Sequence, residues 1–394
     1  MKHRRFIALM VGAALMLAGC WNRREVNEVA IASALAIDRE NEQELRVTVQ
    51  LLAPHSAGEG QEAEQRPRTF LVTATGRTVF DALRNVNQVV SRRPEWKHNN
   101  AIVFSEEIAR QGLGELLDFF IRDHESRLDQ WILISHGKAA EVLVPHFQLE
   151  PSQGVGLRRL NLNVAMSSAK SVEARLYDFV LSLTEDGGAP VAAAAETVEA
   201  GDPAKPQETN RRVRIRGAAV FKGDKLAGWL SEQEIRGLQW ARGRVASTIV
   251  TVPCKQGSGP GISIEIDDAK VALRPQWRQG GQLAVQVQIR ASGKLGELAC
   301  KDDLSKPAAL VALQQRTARM IEKEISASFR RLQGELGADP AGIGKAVERA
   351  FPAAWKRMKP RWSELYPKVE IIPLVTVELL QTGTAAGKPL SGGE

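Results

Sequence analysis

The first residue able to do chemistry is a thiol. Leu17-Ala18-Gly19-Cys20 closes an apolar run of 13 residues, Phe6 to Ala18, that follows Lys2, Arg4 and Arg5. Such a run is a signal-peptide core, shorter than the ~20 residues that span a bilayer. Small residues directly before a thiol are what lipoprotein processing needs. The Cys20 sulfur takes a diacylglyceryl group, and cleavage before it removes residues 1–19. Two acyl chains then hold where one binds only marginally. The alternative is an ordinary export signal followed by a coincidental cysteine. The other thiols are Cys254 and Cys300. An exported chain can join them, closing a loop of about 47 residues worth ~4 kcal/mol, or leave both unpaired.

The charged run "RDHESR", Arg122 to Arg127, is the other dense cluster. Paired carboxylates suit acid–base work. Interleaved guanidinium groups would hold them ionised, however, so Arg122, Asp123, Glu125 and Arg127 read as an ion-pair network at an interface rather than a general acid. His98, His124, His136 and His146 lack His-Glu-x-x-His spacing, and no Cys-x-x-Cys occurs, so neither metal nor cofactor is expected. "GVGLRR", Gly154 to Arg159, lacks the Gly-Lys-Ser/Thr ending of a phosphate loop, and there is no Gly-x-Ser-x-Gly elbow. No enzyme is expected from this set. No basic run is interleaved with aromatics, which argues against nucleic acid as a partner. The formal charge of +7 falls to about +4 once Lys2, Arg4 and Arg5 leave with the leader, a mildly basic balance that suits an anionic membrane surface.

These residues must be held by alternating strands and helices. "ELRVTVQLL" and "RTFLVTATG" alternate at period two and read as strands, joined by the polar, Pro/Gly-bearing loop "APHSAGEGQEAEQRP". "TVFDALRNVNQVVSRR" carries Val79, Phe80, Leu83, Val86 and Val90 at helical spacing behind a Thr78 cap. "NNAIVFS" and "WILISHG" are short buried strands flanking a helix broken near Gly112 and Gly114, and "KAAEVLV" is a short helix stopped by Pro145. From Thr184 the composition turns to Ala, Gly, Pro and acids, which predicts a linker or crossover over 184–212. Beyond it come "VRIRGAAVF", a "KGDK" turn and "LAGWL". Ser231 and Glu234 then open a helix with capping-box spacing. Three strands in an antiparallel meander follow, "STIVTVP", "GISIEIDD" and "QLAVQVQIRASG". After Pro307 a long helix lines up Leu310, Leu313, Ile321, Ile325, Phe329, Leu332 and Leu336, with Thr317 in the one gap. A helix "KAVERAFPAAWKRM" and a last strand "KVEIIPLVTVELLQTG" close the chain. The expected class is α+β with mixed sheets and packed helices. It comprises an N-terminal α/β domain at 20–183, the linker, and a C-terminal α+β domain at 213–385 that is open to subdivision.

Four blocks carry a resemblance. "GCWNRREVNEVAIASALAID", "HNNAIVFSEEIARQGLGELLDFFIRDHESRLDQWILISHGKAAEVL", "RGAAVFKGDKLAGWLSEQEIRGLQWARG" and "DPAGIGKAVERAFPAAWKRMKPRWSELYPKVEIIPLVTVEL" occur in order over almost the whole mature chain. Together they resemble the Ger(x)C spore-germination lipoproteins. One departure is Ala341, where that family's Asp-Ile-Phe-Gly motif has an aromatic before Gly342. The resemblance implies a three-domain α+β fold without established enzymatic activity. It implies a C subunit of a nutrient germinant receptor, lipid-anchored through Cys20 on the outer face of the spore inner membrane. The implied partners are an A subunit and a transporter-like B subunit. On that reading Trp21 either lies at the headgroups, with Arg23 and Arg24 near anionic lipid, or plugs the first domain. "RDHESR" and Trp229 are then candidate contact surfaces. The competing function is a solute-binding lipoprotein of a transporter, which would show two similar lobes about a cleft. A lipid-anchored hydrolase lacks its site, and a pure scaffold overlaps the receptor reading.

Overall fold

The computed structural model describes residues 3–4, 28–53, 68–202, 205–254, 261–300, 304 and 306–381. Cys20, Trp21, Arg23, Arg24 and the loop after Ala53 lie outside the described residues. Strand β1 (Val29–Arg39) is central, and both of its faces are covered along most of its length, so its side chains are mostly apolar and buried instead of alternating, with Ser33 and Asp38 buried among them. Strands β2 (Leu45–Ala53) and β3 (Arg68–Gly76) add antiparallel on one side of it. Helix α1 (Val79–Asn85) then packs back across β2 and β3, its first turn capped by Thr78, whose hydroxyl accepts from Asp81 N at 3.1 Å.

Strand β4 (Arg93–Glu95) and strand β5 (Ala101–Ser105) both run parallel to β1. Helices α2 (Glu106–Gln111) and α3 (Gly114–Arg122) meet at the expected glycine break. Strand β6 (Trp131–Ser135), helix α4 (Ala139–Leu143), helix α5 (Gln153–Ser168) and helix α6 (Leu176–Thr184) lead to β7 (Val191–Asp202), β8 (Lys205–Lys222) and β9 (Lys225–Leu230). The sheet order is β3-β2-β1-β5-β6-β7-β8-β9, with β4 beside β1. Helices α1, α2, α3 and α6 cover one face through Leu83, Ile108, Phe120 and Phe179. Helices α4 and α5 cover the other through Val142, Leu143 and Leu157.

The second half has its own sheet. Helix α7 (Glu232–Arg242) carries the capping box: Ser231 N donates to Glu234 Oε2 at 2.8 Å and Glu234 N to Ser231 Oγ at 3.4 Å. Strands β10 (Thr248–Val252), β11 (Ile262–Trp277) and β12 (Leu283–Leu298) form the antiparallel meander. Helix α8 (Pro307–Arg331) packs on it through Leu313, Ile321, Ile325 and Phe329. Thr317 fills its gap in that stripe because its hydroxyl donates back to Leu313 O at 2.9 Å, so it is buried without an orphaned group. Helices α9 (Ile343–Ala350), α10 (Pro352–Met358) and α11 (Trp362–Leu365) precede β13 (Glu370–Gln381), which pairs parallel with β12. Two mixed sheets with packed helices make the expected α+β class.

Two expectations are corrected. Residues 184–212 are not a linker: they hold the end of α6, a tight turn, β7 and the first part of β8, so the boundary at 213 falls inside a strand of the first sheet. Composition misleads here because Ala192 to Ala195 are buried between helical layers on both faces, where small side chains fit. The turn itself is docked. Glu185 pairs with Lys345 and Asp186 with Lys359, while Gly187, at φ 73°, leaves room for Trp362. The helix read over "KAVERAFPAAWKRM" is two helices, because Pro352 cannot continue α9 and instead opens α10.

Candidate functional site

A groove of about 610 Å³ lies between α1 and α3. Its position follows from the two helices. α1 turns Val79, Ala82 and Leu83 onto the sheet, which leaves Phe80 48% exposed on its flank. Phe80 belongs to the apolar set at helical spacing but lies off the buried stripe. It meets Phe119 of α3 at 5.6 Å between ring centroids, and the Arg84 guanidinium lies 4.9 Å from its ring. Leu83, Leu116, Pro94 and Trp96 complete an apolar lining.

Charge rims this groove. Arg122 donates to both oxygens of Asp118, at 2.8 and 2.7 Å, one turn back on α3, and that bond pushes the guanidinium pKa up. Asp123 and Glu125 also line the groove. The expected ion-pair network within "RDHESR" is therefore corrected. Arg122 turns to Asp118, Arg127 to Asp129 at 3.9 Å, and Asp123 accepts from Glu125 N at 3.2 Å in a local turn. The helix ends at Arg122, so the later residues leave its periodicity and cannot meet at i, i+4 spacing. Arg127 lines a separate polar recess with Lys97, His98 and Arg158. The structure thus brings together Arg122, Asp123 and Glu125 and leaves Arg127 apart.

Trp229 lies elsewhere again. On β9 its ring stacks against His136, with centroids 3.7 Å apart, and its Nε1 donates to Glu106 Oε1 at 3.4 Å. It is half-buried and engaged within the fold rather than presented at a turn. Among the described residues no group of three or more His, Cys, Asp or Glu converges as metal ligands would. The sulfurs of Cys254 and Cys300 are bonded, with Cα atoms 5.7 Å apart, tying the end of β10 to the end of β12. The glycines of "GVGLRR" lie in the first turn of α5 for packing reasons. A side chain at Gly154 would strike the Ser33 carbonyl of β1, and one at Gly156 the Phe147 ring.

Sequence reading missed two carboxylates that hold elements together. Asp38 of β1 accepts from Ala139 N at 2.7 Å and Ala140 N at 2.9 Å, capping α4, and burial raises its pKa against those bonds. Asp339 accepts from Ile343 N at 3.0 Å, Gly344 N at 2.7 Å and Trp362 Nε1 at 3.2 Å. Burial outweighs these bonds and pushes its pKa up to about 6, and together with Asp339 it raises that of Tyr366. An Asp followed by Pro and glycines before a helix is the available cue for such a cap.

The chain matches two family descriptions in order: "Spore germination protein N-terminal domain" over residues 22–197 and "Spore germination B3/GerAC like, C-terminal" over 216–383. Relatives from Bacillus subtilis (strain 168) include spore germination protein KC, 26% identical with 95% of each chain covered. Another is the putative spore germination protein YfkR, 27% identical over 92% of this chain and 93% of that one. Spore germination protein B3 is 24% identical over 98% and 99%. The crystal structure of the GerBC protein superposes with a TM-score of 0.56 at 19% identity, covering 88% of this chain and 96% of that one, which speaks to the fold.

Proposed function

The chain belongs to the spore germination B3/GerAC-like family, that is, the Ger(x)C proteins, and from that premise we propose that it is the lipid-anchored, non-enzymatic C subunit of a spore nutrient germinant receptor. The observation that carries this reading is the pair of family matches in order across both halves. Cys20 bears the anchor, and the chain works on the outer face of the spore inner membrane beside the A and B membrane subunits. Trp21 lies at the headgroup level, and Arg23 and Arg24 contribute up to ~1 kcal/mol each toward anionic lipid. No helix among the described residues is long and apolar enough to cross a membrane, which is consistent with attachment by lipid.

Its part is assembly. The α1–α3 groove offers an apolar lining with Arg122, Asp123 and Glu125 at the rim, suited to a protein segment with apolar anchors and polar flanks. The solute-binding alternative loses ground, because the described residues do not form two similar lobes: one half is built on the nine-stranded sheet and the other on four strands. Spores whose only copy is deleted are expected to lose germination with the matching nutrient while still germinating by a route that bypasses receptors. Wild type should restore the response, and Cys20→Ala should not. Full nutrient germination of the deletion strain would overturn the proposal.

A further inference from the structure

The four sheet edges are not treated alike. At β13 the strand contains Pro373, and Val375 N donates to Glu322 of α8 at 3.2 Å. β10 is five residues long, and Arg236 Nη1 donates to Ile249 O at 3.1 Å. β9 is six residues long and lies against α2. Short strands, proline and side-chain caps are the ordinary means of closing an edge. β3 has α1 packed against it and a side-chain cap at Thr75, but it is long and uninterrupted: it runs nine residues, and Thr69-Phe70-Leu71-Val72-Thr73-Ala74-Thr75 contains neither charge nor proline. Phe70 is 40% and Leu71 39% exposed. Asn85 Nδ2 donates to Thr75 O at 2.9 Å, and among the described residues nothing pairs with the outer side of Phe70–Ala74.

We propose that this edge pairs with the same strand of a second copy of the chain, joining two large sheets across a twofold axis at Val72. The sequence is complementary to itself in that register. Antiparallel pairing about Val72 sets Phe70 opposite Ala74 and Leu71 opposite Thr73, a large side chain beside a small one on each face. Phe70, Val72 and Ala74 fall on the helix-covered face, because they register with Leu51, Val49 and Val47, so the apolar pairs join the existing core face. No like charges meet, and an isologous contact of this kind closes at two copies. This inference stands apart from the receptor role.

Single cysteines placed in the full-length chain, purified in mild detergent, test it. Opposed residues across an antiparallel pair have Cβ atoms about 4.5–5.5 Å apart, near disulfide reach. Val72→Cys is expected to crosslink to itself at twice the monomer mass. Leu71→Cys and Thr73→Cys should each fail alone and crosslink when mixed. Leu71→Lys, on an exposed position, should halve the sedimenting mass without lowering the melting temperature. Wild type sedimenting as one copy, or equal crosslinking at 71, 72 and 73, would overturn the proposal. So would a single copy that gains mass only with another protein present and loses it with Leu71→Lys, since that result assigns the edge to a partner's strand.

Discussion

Single residues decide how the second half is locked. The Asp339 carboxyl fastens the start of α9 to Trp362 within a cluster where Trp355 and Trp362 meet edge to face at 5.1 Å. Its folded pKa of about 6 lies above the ordinary 3.8. Stability from this group is therefore fully present below pH 3.8 and is lost as pH rises through 6, since the native state holds the proton longer. Wild type is expected to gain on the order of 3 kcal/mol over Asp339→Asn between neutral pH and pH 4, at about 1.4 kcal/mol per pKa unit. Urea unfolding of both proteins at several pH values measures this, and parallel curves would contradict it. Nothing in "DPAGIG" marks a buried titrating group, because Trp362, which bonds the Asp339 carboxyl, lies later in the chain.

Elements show where sequence reading reaches and where it stops. Amphipathic elements with caps were legible: Thr78 before α1, the Ser231–Glu234 box on α7, and the stripe of α8 all appear where periodicity puts them. The groove was legible in part, since "RDHESR" supplies four of its lining residues, Arg122 to Glu125, but Trp96 and Phe119 join it only through tertiary packing. β1 and β7 give no alternation to read, because both faces are covered. α5 hides behind Gly154 and Gly156, whose purpose is contact with β1 and Phe147. A sign test follows. Gly→Ala in an open helix stabilises by roughly 1 kcal/mol. Gly154→Ala is expected instead to destabilise by about 1–3 kcal/mol, as overpacking does, and a stabilised variant in thermal melts would refute the packing role. The bridge from β10 to β12 spans a sequence separation of 46. Reduction, or Cys254→Ser with Cys300→Ser, should cost about 4 kcal/mol in denaturant unfolding, and an unchanged midpoint would mean the thiols are unpaired in the exported chain.

At the scale of the whole molecule, one large sheet runs through residues 29–230 and a smaller one through 248–381. The first sheet thus continues past residue 213 to the end of β9. The docked turn at Glu185–Gly187 links the halves through Lys345, Lys359 and Trp362, so the two sheets are braced against each other. The central claim is that this body hangs by Cys20 beside integral-membrane receptor subunits. The most direct test is a pull-down of tagged wild type and Cys20→Ala from dormant-spore membranes, with the captured proteins identified by mass spectrometry. The account predicts that A-type and transporter-like B-type subunits come down with wild type and are depleted with Cys20→Ala. Recovery of an ABC transporter, or of no integral-membrane protein at all, would contradict it.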